Sequence, residues 1–232
     1  VCELARMDDI VVTPATKLLP QTPTPLFLWR FQHDEATVYL AGTIHVLKES
    51  LYPLPQPYLD AYAATQKLVF EVDLSRYPPA EMQQQTMAYA TLPEQSLRQS
   101  LPSDTYSQLV SAGLIYGLPV GQMQAFKPML AFQQLGLLGF IAMGYDPAFG
   151  IDHYFGQLGE REAENILQLE TLDLQLKLLF NQPLDVQTAV LEQALADLDD
   201  IEQSTSALVS AYFNGDDARL LSLIEEQAGG NP

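Results

Sequence analysis

The fold turns on the reading of Thr37-Val-Tyr-Leu-Ala-Gly-Thr-Ile-His45 and Lys67-Leu-Val-Phe-Glu-Val-Asp73. Each is an apolar, β-rich run that ends in polar groups, His45 in the first and Glu71 and Asp73 in the second. Between them lie three prolines, Pro53, Pro55 and Pro57, and an Ala-rich run, Pro57-Tyr-Leu-Asp-Ala-Tyr-Ala-Ala-Thr65, that suits a helix with proline near its first turn. Strand, crossover helix, strand is a βαβ unit. The connection of roughly twenty residues exceeds the dozen or so that parallel pairing requires, and the crossover is expected to be right-handed.

Outward from this unit, Leu26-Phe-Leu-Trp-Arg-Phe31 reads as a strand. The polar break His33-Asp34-Glu35-Ala36 makes it the first arm of an antiparallel hairpin. Residues 1–25 carry Pro14, Pro20, Pro23 and Pro25 without clear periodicity and read as an irregular lead-in. From Pro78 to Gly144 the pattern becomes helical, with segments at Glu81–Tyr89, Pro93–Gln99, Ser103–Tyr116 and Pro128–Met143, and Ser103-Asp104 as a cap. A helix follows Asp146–Asp152 and ends near Gly159, and Asn165–Leu169 reads as a third strand ending at Glu170. Helices close the chain at Thr171–Phe180, Leu184–Leu198, Ile201–Phe213 and Asp216–Gln227. The expected class is α/β in the broad α+β sense. It comprises a small mixed sheet with an N-terminal hairpin and βαβ unit, a helical insertion over 77–145 and a helical C-terminal part. Residues 26–232 form one domain in this reading.

Composition narrows the function. The net charge of −18 over 232 residues argues against nucleic acid, whose phosphates would be repelled. No window approaches 18 uninterrupted apolar residues, so no transmembrane helix is expected. The single cysteine, Cys2, excludes an intrachain disulfide or a thiolate metal site. A chain that begins at Val1 fits removal of a secretory signal, which points to a secreted, periplasmic or cell-envelope protein, with Cys2 as a candidate lipid anchor.

Alternation along a strand decides which side chains share a face. Tyr39, Ala41, Thr43 and His45 fall together, as do Val69, Glu71 and Asp73. In a parallel pair, His45 and Glu71 stand at carboxyl ends, the edge where open α/β sheets bind ligands, and Glu170 ends the third strand at the same edge. Gly42 leaves the backbone open to close approach. One imidazole with two or three carboxylates suits a divalent metal such as Mn²⁺ or Zn²⁺, which would lower the pKa of a bound water. Without a metal the same groups suit acid/base work. A plain structural role is the alternative: His45 capping a loop, Glu71 bonded to nearby backbone. Asp152 after Gly150 reads as a helix cap or a further ligand, and His153 as a surface residue. No P-loop, dinucleotide fingerprint, His-Glu-x-x-His or Gly-x-Ser-x-Gly occurs.

Five ordered motifs carry a family resemblance: Val38-Tyr-Leu-Ala-Gly-Thr-Ile-His-Val46, Leu51-Tyr-Pro-Leu-Pro55, Leu68-Val-Phe-Glu-Val-Asp73, Gly144-Tyr-Asp with Gly150-Ile-Asp152, and Leu169-Glu-Thr171 with Gln175. From about Leu26 to Leu223 the chain resembles the TraB/PrgY/GumN family, related to the Tiki metalloproteases and to the erythromycin-esterase/ChaN-like fold. The resemblance implies a divalent-metal-dependent (Mn, Co or Zn) peptidase using two Gly-x-x-His motifs and a glutamate. The first motif falls on Gly42 and His45, and the glutamate on Glu71. Glu170 and Asp152 are further candidate ligands, and Thr43, Asp73 and Gln175 line the site. The family pattern continues past a helix like Asp216–Gln227 to another strand and a second Gly-x-x-His. Within the 232 residues, neither follows that helix, and Glu160-Arg161-Glu162 stands where a basic position is expected. The expectation is a peptidase with an incomplete site, or a non-catalytic module that sequesters a peptide, with homo-oligomerisation open.

Overall fold

The computed structural model describes residues 11–14 (backbone only), 26–158 and 165–227. Cys2, the Glu160–Glu162 run and the Gly229–Pro232 stop lie outside the described residues, as does most of the lead-in.

The hairpin forms as expected. Strands β2 (Leu28–His33) and β3 (Ala36–Ala41) pair antiparallel, with Trp29 opposite Leu40 and His33 opposite Ala36. The tight turn places Asp34 at a φ of 50°, a left-handed conformation that a short polar side chain tolerates. One part of the lead-in is regular: Val11–Pro14, strand β1, pairs antiparallel with β2. Val11, Val12 and Thr13 are β-branched and suit a strand, and Pro14 sits at its end, where a missing N–H is tolerated.

The parallel pair exists, but with a different partner. Strand β4 (Leu68–Phe70) pairs in parallel with β5 (Ile166–Gln168), in the register Leu68–Ile166, Val69–Leu167 and Phe70–Gln168. It does not pair with the 38–45 segment. Two sheets result among the described residues, β1-β2-β3 and β4-β5. The physical reason lies at Gly42. Its N–H donates to the Phe27 carbonyl at 2.8 Å, closing the hairpin, and Thr43–Leu47 then leave the sheet to bond with residues 146–151. Strand β3 therefore stops at Ala41 rather than running on to His45.

The helices follow proline and glycine punctuation. Helix α1 (Gln56–Ala64) has Pro57 in its first turn. Between β4 and β5 come α2 (Pro79–Ala90), α3 (Leu97–Ser100), α4 (Ser103–Tyr116), α5 (Pro128–Ala142) and α6 (Ile151–Leu158). Ser96 and Gln99 form a reciprocal capping box at α3. The cap position of α4 is Pro102, without a side-chain bond, so Ser103-Asp104 is the first turn rather than the cap. Asp104 there still complements the helix dipole. After β5 come α7 (Leu172–Phe180), α8 (Leu184–Ala196), α9 (Ile201–Asn214) and α10 (Asp217–Gln227).

Two apolar cores organise these elements. One is helical: Leu109, Leu135, Phe180 and Leu191 are its fully buried centre. The other lies under the hairpin and is rich in aromatics: Leu47, Ile151, Tyr58, Tyr145 and Tyr212 belong to it. Among the described residues no helix is long and apolar enough to cross a membrane.

Candidate functional site

His45 sits on the segment that leaves the hairpin, and that segment is fixed by backbone bonds to the approach to α6. Leu47 and Asp146 form an antiparallel bridge, and the Ile151 N–H donates to the Ile44 carbonyl at 2.9 Å. Asp146 caps the short turn Pro147–Phe149 by accepting from the Ala148 N–H at 2.7 Å, which steers the chain into α6. Gly150 makes the close approach possible. A Cβ there would lie 2.3 Å from the His45 carbonyl oxygen, so any side chain would force the two segments apart.

This stitching brings Asp152, in the first turn of α6, against the imidazole. His45 Nδ1 and Asp152 Oδ2 are 2.6 Å apart. A carboxylate accepts, so the hydrogen belongs on Nδ1 and leaves Nε2 free for other work. The His45 side chain is 73% exposed and that of Asp152 33%. The Asp152 hydrogen bond raises the imidazole pKa above 6.5. Partial burial opposes that rise, and the negative charges of Asp152 and then Glu71 add to it. Burial alone would push the Asp152 carboxyl up, but the His45 hydrogen bond and charge, together with a bond to the Thr43 side chain, hold it below the ordinary carboxylate range. Thr43 and Asp152 thus support His45 rather than acting alone.

Glu71 and Glu170 follow the ends of β4 and β5, as expected. The Glu170 N–H donates to the Glu71 carbonyl at 2.8 Å, so the two stay side by side in the backbone. Glu71 is exposed. Alternation puts it on the face of Val69, and Leu167, the register partner of Val69, joins that face. Both apolar residues are exposed, as is Leu169 at 77%.

Among the described residues, two predicted residues make no hydrogen bond to the His45–Asp152 pair. Asp73 is buried, caps the Leu74–Arg76 turn through Ser75 and pairs with Arg76 at 2.8 Å. Gln175 lies on α7, and among the described residues its side chain makes no hydrogen bond to His45, Asp152 or Glu71. His153 contacts Gln157, one turn on along α6, at 2.6 Å.

The four expected metal donors do not act as one set. The Asp152 Oδ2 is committed to the imidazole. Among the described residues no three His, Cys, Asp or Glu side chains are grouped to hold an ion. Among the described residues, His45 Nε2 and the Glu71 and Glu170 carboxylates make no hydrogen bond. An imidazole whose far nitrogen bonds a carboxylate is the arrangement that prepares histidine as a ligand, so His45 has the chemistry of a ligand, while the described residues do not group a further donor set around it.

Sequence reasoning missed the aromatic surround. The Tyr52 hydroxyl donates to the Phe149 carbonyl at 2.6 Å, and its ring lies 4.9 Å from that of Tyr154. Burial first, then the nearby Tyr154 and Asp152, push its phenol up to about 12. Tyr212 reaches the loop from α9, with its hydroxyl 2.7 Å from the Gly42 carbonyl. Nothing in the local sequence marks Tyr212, whereas Tyr52 lies in the Leu51-Tyr-Pro-Leu-Pro55 motif, which carries no sign of its bond to Phe149. Gly150 carried a signal, since it opens the Gly150-Ile-Asp152 motif.

Fold and site together define a mixed α/β protein that presents a histidine–aspartate pair where its hairpin meets its sixth helix. The model of the TraB/PrgY/gumN family matches residues 27–232, and the chain belongs to that family. No curated protein and no solved structure gave a match.

Proposed function

We propose that this family member is a divalent-metal-dependent hydrolase of the peptidase class, working through His45. The observation that carries the reading is the His45–Asp152 pair: a carboxylate 2.6 Å from Nδ1 fixes the tautomer and leaves Nε2 free on an exposed imidazole. With a metal bound, Asp152 would orient the imidazole as a ligand; without one, Asp152 would stabilise the positive charge that His45 acquires when Nε2 takes a proton, and the Thr43 side chain bonds Asp152 in either case. The negative charge of Glu71 favours the charged form of the imidazole, which makes Glu71 a candidate to hold a proton or an ion beside it. A cation of Mn²⁺, Co²⁺ or Zn²⁺ type, held by His45 Nε2 and Glu71, would polarise a carbonyl and acidify water.

Calorimetric titration with these ions tests the reading. Binding to the wild-type chain, lost in His45→Ala and weakened in Glu71→Gln, is the expected result. No binding of any of the three ions would remove the metal from the proposal.

A second reading is favoured by a separate observation. Val69, Leu167 and Leu169 form an exposed apolar strip on one face of the β4-β5 pair, whereas parallel strands are ordinarily covered. A module that captures peptides without cleaving them would use such a strip. Peptide affinity that survives both His45→Ala and chelator would favour capture, whereas chelator-sensitive loss of intact peptide would favour the hydrolase.

A further inference from the structure

Two hydroxyls in the aromatic core have no task in the reading above. Tyr58 on α1 and Tyr212 on α9 are 2% and 4% exposed, and they pack in the core with Leu28, Leu47 and Ile151. Phenylalanine at either position would keep the ring packing, so a buried hydroxyl there answers to polar partners.

Those partners link both hydroxyls to the base of the hairpin. Tyr212 Oη lies 2.7 Å from the Gly42 carbonyl, which can only accept, so the Tyr212 proton points there. Tyr212 Oη must then accept from Tyr58, 2.9 Å away. At the base of the hairpin the Phe27 carbonyl accepts from the Gly42 N–H at 2.8 Å. Tyr212 Oη both gives and receives, so the Tyr58–Tyr212–Gly42 chain is polarised in one direction. The Phe27 ring stacks on Tyr212 with centroids 5.3 Å apart. At Gly42 there is little slack, since a Cβ would lie 3.1 Å from the Phe27 Cβ.

We propose that Tyr212 is a positioning residue for His45: its hydroxyl fixes the Gly42 carbonyl and so sets the path by which Thr43, Ile44 and His45 leave the hairpin for Asp152. The inference rests on His45 being the working group. Only Thr43 and Ile44 intervene, and both are tied to α6, Thr43 through Asp152 and Ile44 through the Ile151 N–H. A change of direction at Gly42 therefore works against the Ile44–Ile151 and His45–Asp152 bonds across only two intervening residues. Tyr58 acts one step further away, through Tyr212 alone.

The test compares Tyr212→Phe with Tyr58→Phe, reading the ring-nitrogen NMR shifts of His45 with the imidazole neutral. The wild type should show the Nδ1–H tautomer that Asp152 selects. Tyr212→Phe should shift His45 towards a mixture with the Nε2–H form, and Tyr58→Phe should stay close to wild type because the Tyr212–Gly42 bond remains. If the chain cleaves peptide, Tyr212→Phe should lower kcat by roughly tenfold or more with KM unchanged, the pattern of a misplaced group. A wild-type tautomer in Tyr212→Phe, or equal disturbance in both variants, overturns the proposal. Should Tyr212→Phe not fold, Gly42→Ala replaces it: the same tautomer change is expected, and an undisturbed His45 again overturns the proposal. The ring-nitrogen readout needs no turnover. A chain that cleaves nothing yet shows the Tyr212-specific change keeps the positioning role and loses only the hydrolase reading.

Discussion

The helical core and the aromatic core both bury polar side chains, but to different ends. In the helical core Gln187 is fully buried. Its amide donates to the Phe180 and Gln182 carbonyls, and its oxygen accepts from the Met129 N–H. Those bonds tie the start of α8 to the end of α7, to the turn between them and to the start of α5. In the aromatic core Tyr58 and Tyr212 join two helices to the base of the hairpin, three residues before His45. The first core holds the protein up, and the second also aims a side chain. A substitution in the first should change stability alone, whereas one in the second should change His45.

The largest effect belongs to the helical core. Phe180 is buried among helices, and its carbonyl also accepts from Lys127 and Gln187. Phe180→Ala should cost about 3–5 kcal/mol in denaturant unfolding while the His45 signals stay where they are. A moved His45 would show that the cores are not separable.

Gly150→Ala comes next. Its Cβ would clash with the His45 carbonyl at 2.3 Å, so the backbone must shift. A cost of about 1–3 kcal/mol is expected, with loss of the 2.6 Å His45–Asp152 contact in a crystal structure of the variant. An intact contact would mean that the approach is not what sets the pair.

Asp152→Asn should scarcely change stability, by about 1 kcal/mol or less, because the pair is largely exposed. Its effect should appear in titration. The folded imidazole pKa is raised, so its contribution is fully present below 6.5 and is lost as pH rises through the folded value. The Asp152 pKa is lowered, so its contribution is present above 3.8 and is lost as pH falls through the depressed value. The pair is therefore strongest between those limits, and Asp152→Asn should return the His45 midpoint towards 6.5. Glu71→Gln should move it the same way and by less, since Glu71 acts through charge alone and ranks last among the causes. A larger shift from Glu71 than from Asp152 would reverse the assignment of roles.

Much of this was legible in residues, and the failures have physical reasons. Proline and glycine punctuation with helical periodicity located α1 to α10 closely, and the polar break at Asp34-Glu35 located the hairpin. The partner of β4 was not legible. Leu68–Phe70 and Ile166–Gln168 are three residues each, and a long connection permits a parallel partner on either side, so packing far along the chain decides the pairing. At the site, the strand-end positions of Glu71 and Glu170 followed from pattern. The bond from His45 to Asp152 spans 107 residues, and a carboxylate after Gly150 reads locally as a helix cap. Tyr212 lies 170 residues from Gly42, and no local pattern distinguishes it from a core tyrosine.

The central claim is that His45, held by Asp152, performs hydrolysis. The most direct measurement incubates a defined peptide mixture and Mn²⁺ with the wild-type chain and with His45→Ala, and reads the products by mass spectrometry. The account predicts new cleavage products from the wild type and none from His45→Ala. Equal cleavage by both proteins, or intact peptide with both, would contradict it.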